Sequence, residues 1–427
     1  MNVLLIGSGG REHAIALALS KSKKLNKLYC APGNPGTKSI AENVSIEISN
    51  HKLVVDFCFS NQIDLVVVGP EQPLVDGLSN SLRASSILVF GPSSNAARIE
   101  SSKVFAKKIM ASAKVATASY QEFDIDQFGD AINYLKHCAY PIVIKADGLA
   151  AGKGVIICNY FSEAETAIKE IFVDKIFGNS GNKIIIEEFL TGEEASVFAI
   201  TDGEDFICLP AAQDHKRIGD NDTGKNTGGM GAYSPAPLIT IDLQSQIEKE
   251  IIAPTIDALN KSGNKFIGCL YAGLIITKSG PKVIEFNCRF GDPETQAVLP
   301  LLQGDLLKLL YSAADGKVDK TSVQYSGGCS VCVVAASGGY PDKFEKGFKI
   351  TGLDLNDENI IIYHAGTLER DGKIYTNGGR VLGVTSVIDS NDLRTAKRIA
   401  YEAIDKISFE GMYYRKDISD KAFNLNN

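Results

Sequence analysis

The sequence predicts a multidomain chain, an open parallel α/β sheet at its start followed by α+β and mixed α/β blocks. Three observations predict it. Short apolar runs alternate with helix-like segments up to about residue 100, the βαβ rhythm of a doubly wound sheet. From Lys103 onward, strand-like runs are joined by short turns, with helices set to one side. The chain of 427 residues also exceeds what one core comfortably serves, so two to four domains are expected.

In chain order, "NVLLIG" is a strand that passes through a glycine turn into the helix "REHAIALALSKS". "LNKLYCA" is a strand, "HKLVVDFCFSNQ" a helix, and "IDLVVVG" a nearly all-apolar strand of the type buried on both faces of a parallel sheet. The helix "DGLSNSLRAS" and the strand "ILVFG" complete this part. Next come the helix "SKVFAKKIMASA", the strand "TASYQEF" and the helix "QFGDAINYLKHC". A glycine loop between strands follows, then helical spacing over Ser162–Phe172, the strand "KIIIEEFL", a turn and the strand "ASVFAI". Asp214 to Pro235 is polar and glycine-rich and is expected to be a long functional loop without regular structure. "IIAPTIDALNKSG" is helical, and "CLYAGLIIT" with "PKVIEFN" reads as a hairpin. The last hundred residues hold the strands "GCSVCVVAAS", "NIIIYHAGTLE" and "KIYTNGGRVLGVTSVI" and the helix "DLRTAKRIAYEAIDKI".

Composition excludes several function classes. A formal net charge of −7 argues against nucleic acid as the main partner. No apolar run approaches the length of a membrane span, and the opening "MNVLLIG" lacks a basic leader, so no membrane and a cytoplasmic location are expected. Nine cysteines are scattered, as suits buried thiols in a reducing compartment. The close pair Cys329 and Cys332 sits in a strand-like run, three residues apart and hence on opposite faces, which disfavours a zinc knuckle.

Five stretches carry chemistry. "IKADGLAAGKGVII" holds Lys145 and Lys153 among three glycines, but Gly148 and Gly152 have three residues between them and Gly154 stands where a P-loop needs Ser or Thr. Its flanks are both strands, so it is no P-loop. "LIGSGGREHA" lets backbone N–H groups and a helix dipole meet a phosphate, although Glu12 breaks the dinucleotide fingerprint; a tight turn feeding the helix explains it equally well. "VVVGPEQPLVDG" places Glu71 past the end of a central strand, where it could bond a sugar hydroxyl. "KIIIEEFLTGEEAS" carries four acids around a turn, some of them simply solvated; such a connector also offers backbone groups to an adenine edge. In "KVIEFNCRFGDPETQ", Glu285 and Asn287 point to one face and are hard oxygen donors that suit Mg²⁺. Arg289 follows on the same alternation with a planar fork for a carboxylate or phosphate, and Asp292, Glu294 and Gln296 crowd the next turn.

Taken with "QDHKRIGD", "NTGGMGAYSP" and "GGRVLGV", these stretches resemble the glycinamide ribonucleotide synthetase (phosphoribosylamine–glycine ligase) family of the ATP-grasp superfamily, from about residue 3 to residue 418. The resemblance implies a Rossmann-like domain at 1–102, an ATP-grasp domain at 103–326 with an inserted lid at about 120–190, and a C-terminal domain at 327–427. It implies that the glycine loop closes over ATP, with Lys145, Gly152, Lys153 and Gly154 at the phosphates and Lys103 supplying another cation. Glu187, Glu188, Phe189 and Leu190 match the adenine hinge, Glu194 the ribose contact, and Glu285 and Asn287 the Mg²⁺ (or Mn²⁺) ligands. Asp214, Arg289 and Asp292 match groups holding glycine and phosphoribosylamine. Gly9, Gly10 and Glu71 would face the sugar, and Arg380 its 5′-phosphate.

Two departures stand out. Lys225 replaces an expected proline in "DTGKNTGG", and "LYAGLIIT" carries no acid where many ATP-grasp enzymes place a further metal ligand. The implied reaction is ATP-dependent joining of glycine to 5-phosphoribosylamine through glycyl phosphate, in purine biosynthesis, by a monomer or weak dimer. Its rivals are a sister ATP-grasp enzyme using another carboxylate and a non-catalytic nucleotide-binding protein.

Overall fold

The computed structural model describes residues 1–149 and 154–423. The N-terminal sheet is parallel, in the order Glu42–Asn43, Lys27–Pro32, Asn2–Gly7, Leu65–Val68, Val89–Phe90. Strand alternation divides its central residues between two cores. Leu4, Ile6, Val66 and Val68 pack in one cluster, and Val3, Leu5, Leu65 and Val67 in the other. Both faces being apolar is why these strands read as continuous hydrophobic runs. Strand order reverses beside Asn2–Gly7, so the turn after Gly7 and the segment after Val68 flank the crevice that such a switch point creates.

The second sheet is antiparallel, in the order Tyr120–Asp124, Lys183–Glu188, Ile142–Ala146, Val155–Cys158. Helices Phe128–Leu135 and Phe161–Phe172 cover it, and Ile144, Ile168, Ile171, Ile184 and Ile186 share a separate core there. The third sheet runs Phe206–Cys208, Glu193–Thr201, Gly268–Thr277, Gly280–Asn287, closed by the expected hairpin at Thr277 and Gly280.

The fourth sheet corrects one expectation. Residues 214–235 are not structureless: Gln213–Asp214 and Gly231–Ser234 are strands, and Arg217–Gly219 pairs with Thr223–Asn226. Gln213–Asp214 and Gly231–Ser234 join Cys329–Ala336, Arg380–Ile388 and Ile360–His364, so this sheet draws from both sides of residue 326. Strands of two to four residues cannot display an apolar period, and Thr223–Asn226 is exposed throughout, so no hydrophobic pattern announces them. Among the described residues no helix is long and apolar enough to cross a membrane.

Candidate functional site

The strand Asn2–Gly7 ends in the glycine turn, and helix Gly10–Ser20 begins at once. The Glu12 carboxylate folds back over that turn. It accepts from Gly9 N at 2.6 Å and from Arg11 Nε at 2.6 Å. A Cβ at Gly7 or Gly69 would stand 2.4 or 2.3 Å from Glu12 atoms. These glycines therefore make room for Glu12, and the Gly9 N–H is already bonded to it, which favours the tight-turn alternative of the two left open for this stretch. The outer side of the turn meets a different element. A Cβ at Gly9 would lie 3.7 Å from Asp292 Oδ2, and one at Gly10 2.7 Å from Gln296 Nε2.

Arg289 does not present a free fork. Its Nε meets Glu71 Oε2 at 3.2 Å and its Nη2 meets Glu100 Oε1 at 3.1 Å. Glu100 Oε2 also accepts from Cys288 N at 2.7 Å. Burial pulls the guanidinium's pKa down, but Glu100 and Glu71 raise it above its ordinary value. Burial pushes the Glu71 carboxyl up, and Arg289 and Arg11 outweigh it and hold the group low. Glu71 itself opens the short helix Glu71–Val75, just past the strand Leu65–Val68.

Arg380 is engaged in the same way. It donates to Gly228 O at 2.5 Å and Asp292 O at 2.7 Å, and pairs with Asp292 Oδ2 at 3.0 Å. Asp292 Oδ1 accepts from Gln296 Nε2 at 2.7 Å. Against burial, Arg380 and Arg11 keep the Asp292 carboxyl below its usual range. Gly9, Gly10, Asp292 and Arg380 thus form one cluster, and Arg289 with Glu71 sits beside it, Arg11 donating to Phe290 O at 3.1 Å between them.

A second cluster lies between the second and third sheets. Lys145 Nζ is 2.8 Å from Glu187 Oε2 and 3.1 Å from Ile284 O. Register explains the pair: Val143 faces Glu187 on the neighbouring strand, so Lys145 is its diagonal neighbour on the same face. Lys107 Nζ meets the other oxygen, Glu187 Oε1, at 2.9 Å. Lys103 Nζ donates to Gly148 O at 3.0 Å, and Asp147 accepts from Val104 N at 3.1 Å and Ser102 Oγ at 3.2 Å. The root of the glycine loop is thereby fastened to the start of helix Lys103–Ala113. Gly154 is buried just before the strand Val155–Cys158, and its carbonyl accepts from Ala146 N at 2.9 Å. Gly152 and Lys153 lie outside the described residues.

Of the run 187–190, Glu187 serves the lysines and Glu188 accepts from Ser119 N at 2.9 Å. The strand stops at Glu188, which takes the backbone of Phe189 and Leu190 out of the ladder. Glu194 Oε2 pairs with Lys216 Nζ at 2.8 Å, and Lys216 in turn reaches Asp214 Oδ1 at 3.9 Å.

Asp214 lies beside Lys216, with Glu294 and Glu194 as its charged neighbours. Burial pushes its carboxyl up to about 7, with Lys216 opposing and Glu294 and Glu194 adding to the rise. Glu294 is buried and receives Tyr271 Oη at 3.0 Å and Ser196 Oγ at 3.3 Å. Glu285 and Asn287 share one face of the strand Gly280–Asn287, and Asn287 Nδ2 donates to Phe286 O, leaving its amide oxygen as an acceptor. A carboxylate and an amide oxygen fit Mg²⁺. No group of three or more His, Cys, Asp or Glu that could hold a metal occurs among the described residues, Cys329 and Cys332 included. The missing acid in "LYAGLIIT" has a steric counterpart. Gly273 faces Glu285, whose Cγ would lie 3.3 Å from a Cβ there.

Sequence reasoning missed Lys107, Glu100, Lys216, Tyr271 and Ser196, and left Glu294 without a role. A signal existed for Lys107 alone: it follows Lys103 by four residues, hence on the same helix face. Lys225 is exposed and pairs with Asp342 Oδ2 at 2.8 Å.

Family models described as the N domain, the ATP-grasp (A) domain and the C domain of phosphoribosylglycinamide synthetase match residues 1–100, 101–295 and 330–421. The chain is 48% identical over 98% of its length to the phosphoribosylamine–glycine ligase of Caldanaerobacter subterraneus subsp. tengcongensis, covering 99% of that protein. It is 48% identical to that of Leptospira interrogans, with 99% of each chain covered. Among solved structures, the phosphoribosylamine–glycine ligase of Thermotoga maritima superposes with a TM-score of 0.83 at 34% identity, covering 98% of this chain and 100% of that one. A biotin carboxylase domain from Hydrogenobacter thermophilus, crystallised with MgADP and bicarbonate, reaches 0.73 at 16% identity over 97% and 91% of the two chains, a likeness of fold alone.

Proposed function

The chain belongs to the phosphoribosylglycinamide synthetase family, and we propose that it joins glycine to 5-phosphoribosylamine at the expense of ATP, with the two clusters dividing the substrates between them. The observation that carries this reading is full-length identity to phosphoribosylamine–glycine ligases over all three domain types.

The glycine carboxylate attacks the γ-phosphorus of ATP, giving glycyl phosphate and ADP. The 1-amine of phosphoribosylamine then attacks the glycyl carbonyl and expels phosphate, leaving the amide of glycinamide ribonucleotide. No protein nucleophile is required, so this chain's work is positioning and charge neutralisation. Lys145 and Lys103 meet the polyphosphate, with Gly152, Lys153 and Gly154 over it. Phe189 and Leu190 offer backbone groups to adenine, and Glu194, oriented by Lys216, bonds the ribose. Glu285 and Asn287 would hold Mg²⁺, which supplies counter-charge to the phosphate oxygens. Asp214, seconded by Glu294, takes the glycine ammonium. Gly9, Gly10 and Asp292 line the side that receives the phosphoribosylamine sugar. Arg380 meets its 5′-phosphate by exchanging part of its bonding to Asp292. Arg289 acts by fixing Glu71 and Glu100, since both sides of its fork are already bonded to them. The glycine loop excludes water that would hydrolyse glycyl phosphate.

The deciding assay measures ADP formation from Mg-ATP and glycine, with and without phosphoribosylamine made in situ from ribose 5-phosphate and ammonia. ADP that requires both substrates, matched by glycinamide ribonucleotide, is the expected result. ADP without glycine, or a preference for another carboxylate, would overturn the substrate and keep the fold.

A further inference from the structure

Lys107 is among the most deeply buried charged side chains of the protein, 2% exposed, and nothing in the substrate assignments above uses it. Its ammonium donates to Thr117 Oγ1 at 2.8 Å and Ala118 O at 3.2 Å, and it forms an ion pair with Glu187 Oε1 at 2.9 Å. The ring of Tyr120 lies 5.0 Å away. Lys107 is enclosed by these protein groups, so its influence on a ligand passes through its charge contact with Glu187.

The other oxygen of Glu187 holds Lys145 at 2.8 Å, and Glu187 is itself 4% exposed. One buried carboxylate thus lies between two buried ammoniums, and the triad carries one uncompensated positive charge. Removing Lys107 would leave a neutral Lys145–Glu187 pair, with the carboxylate pinning the lysine. Burial pulls Lys107 below the ordinary ammonium range, and Glu187 opposes that pull.

We propose that Lys107 is a positioning residue for the nucleotide polyphosphate: by occupying half of the Glu187 carboxylate, it leaves the Lys145 ammonium charged and free to turn toward phosphate. This rests on the assignment of Lys145 to the ATP phosphates.

The test titrates ADP and adenosine separately into wild type, Lys107→Met, Lys107→Arg, Glu187→Gln, the double variant Lys107→Met/Glu187→Gln, and Lys145→Met. The readout is the ratio of adenosine to ADP dissociation constants, which a merely structural role for Lys107 would not move. Lys107→Met is expected to weaken ADP by about tenfold while adenosine stays within about twofold. Lys107→Arg keeps the ratio. The double variant, which restores one net positive charge, recovers most of the loss. Equal weakening of both ligands, unchanged ADP binding, or no recovery in the double variant would overturn the proposal. Should Lys107→Met not fold, Glu187→Gln makes the comparison: a ratio at or above wild type is expected, and a tenfold fall overturns it. Lys145→Met separates the two layers. If it leaves the ratio unchanged, the phosphate assignment of Lys145 fails. If it lowers the ratio while Lys107→Met does not, the Lys107 proposal fails alone.

Discussion

The two clusters are built on opposite electrostatic plans. Around the glycine turn, three guanidiniums (Arg11, Arg289 and Arg380) meet four carboxylates (Glu12, Glu71, Glu100 and Asp292) in closed pairs. Between the second and third sheets, Lys107 and Lys145 share the single carboxylate of Glu187, and Lys103 donates to the Gly148 carbonyl rather than to an acid. Each plan suits the ligand proposed for it. A lattice of paired guanidiniums and carboxylates fixes geometry around the phosphoribosylamine before it arrives, with Arg380 the one cation proposed to turn to its phosphate. An ammonium surplus waits for a polyanion. Arginine serves the first role because its planar fork can hold two carboxylates at once, and lysine serves the second as a point charge on a movable stem.

The sharpest way to break the first plan is Arg289→Met. It leaves Glu100 buried without its ion pair, and Glu71, a third exposed, with only the more distant charge of Arg11. Loss of about 2–4 kcal/mol of stability is expected in urea unfolding, the lower end reflecting the solvent at Glu71. Activity should fall about hundredfold or more. Arg289→Lys should rescue little, because one ammonium cannot reproduce both contacts.

The second plan predicts a contrast in the same two measurements. In Lys145→Ala, Glu187 keeps its ion pair with Lys107, so the buried carboxylate retains a counter-charge. Steady-state kinetics should show kcat/KM for ATP down about 10²–10³-fold. Thermal unfolding should report a change of about 1 kcal/mol or less. A stability loss as large as that of Arg289→Met, or unchanged turnover, would erase the distinction between the clusters.

This contrast also explains what the sequence revealed. The parallel sheet, the hairpin at Thr277 and the helix bearing Lys103 were legible because their apolar periods are long and regular. Gly9, Asp292, Arg289 and Arg380 were legible as residues to watch through their motifs. Their mutual pairing was not, since Arg380 and Asp292 are 88 positions apart and only the fold brings them together. Glu100 and Lys107 stand in ordinary helical sequence, where a charge usually marks a solvated face, and burial alone gives them meaning. Glycines carried an ambiguous signal. Gly7, in the stretch that could meet a phosphate, and Gly69, in a stretch read for Glu71, both make room for Glu12.

Asp214, beside Lys216, offers a way to sharpen the comparison by pH. Its carboxyl is raised to about 7 by burial, so it gains a proton as pH falls through neutrality. If the ionised form holds the glycine ammonium, KM for glycine should rise about tenfold per unit below pH 7, while KM for ATP stays level. Asp214→Asn should flatten that limb. Stability should move the other way. The folded state favours the proton more than the unfolded chain does, so this group adds stability as pH drops toward 4. A KM limb that tracked loss of folded protein would count against the assignment.

The smallest expected effect concerns how the glycine turn is docked on the fourth sheet. His364 N donates to His13 Nδ1 at 2.9 Å, and the two rings lie 5.8 Å apart between centroids. Burial lowers His13 from 6.5 to about 3, with His364 adding to the fall, and burial lowers His364 to about 4. Both are therefore neutral when folded and take up protons when unfolded below pH 6.5. Their contribution is complete above that value and lost as pH falls toward 4. His364→Gln keeps the backbone bond to His13 and a partner for the Thr367 hydroxyl, which lies 3.1 Å from His364 Nδ1, while removing one titrating group. Between pH 7 and pH 5 its loss of stability should be about 2 kcal/mol less than that of wild type, read from urea midpoints at each pH. Parallel pH profiles would mean that the ring stays as protonatable in the folded protein as in the unfolded one. The docking of the turn onto Ile360–His364 would then be insensitive to charge, unlike the carboxylate–guanidinium lattice beside it.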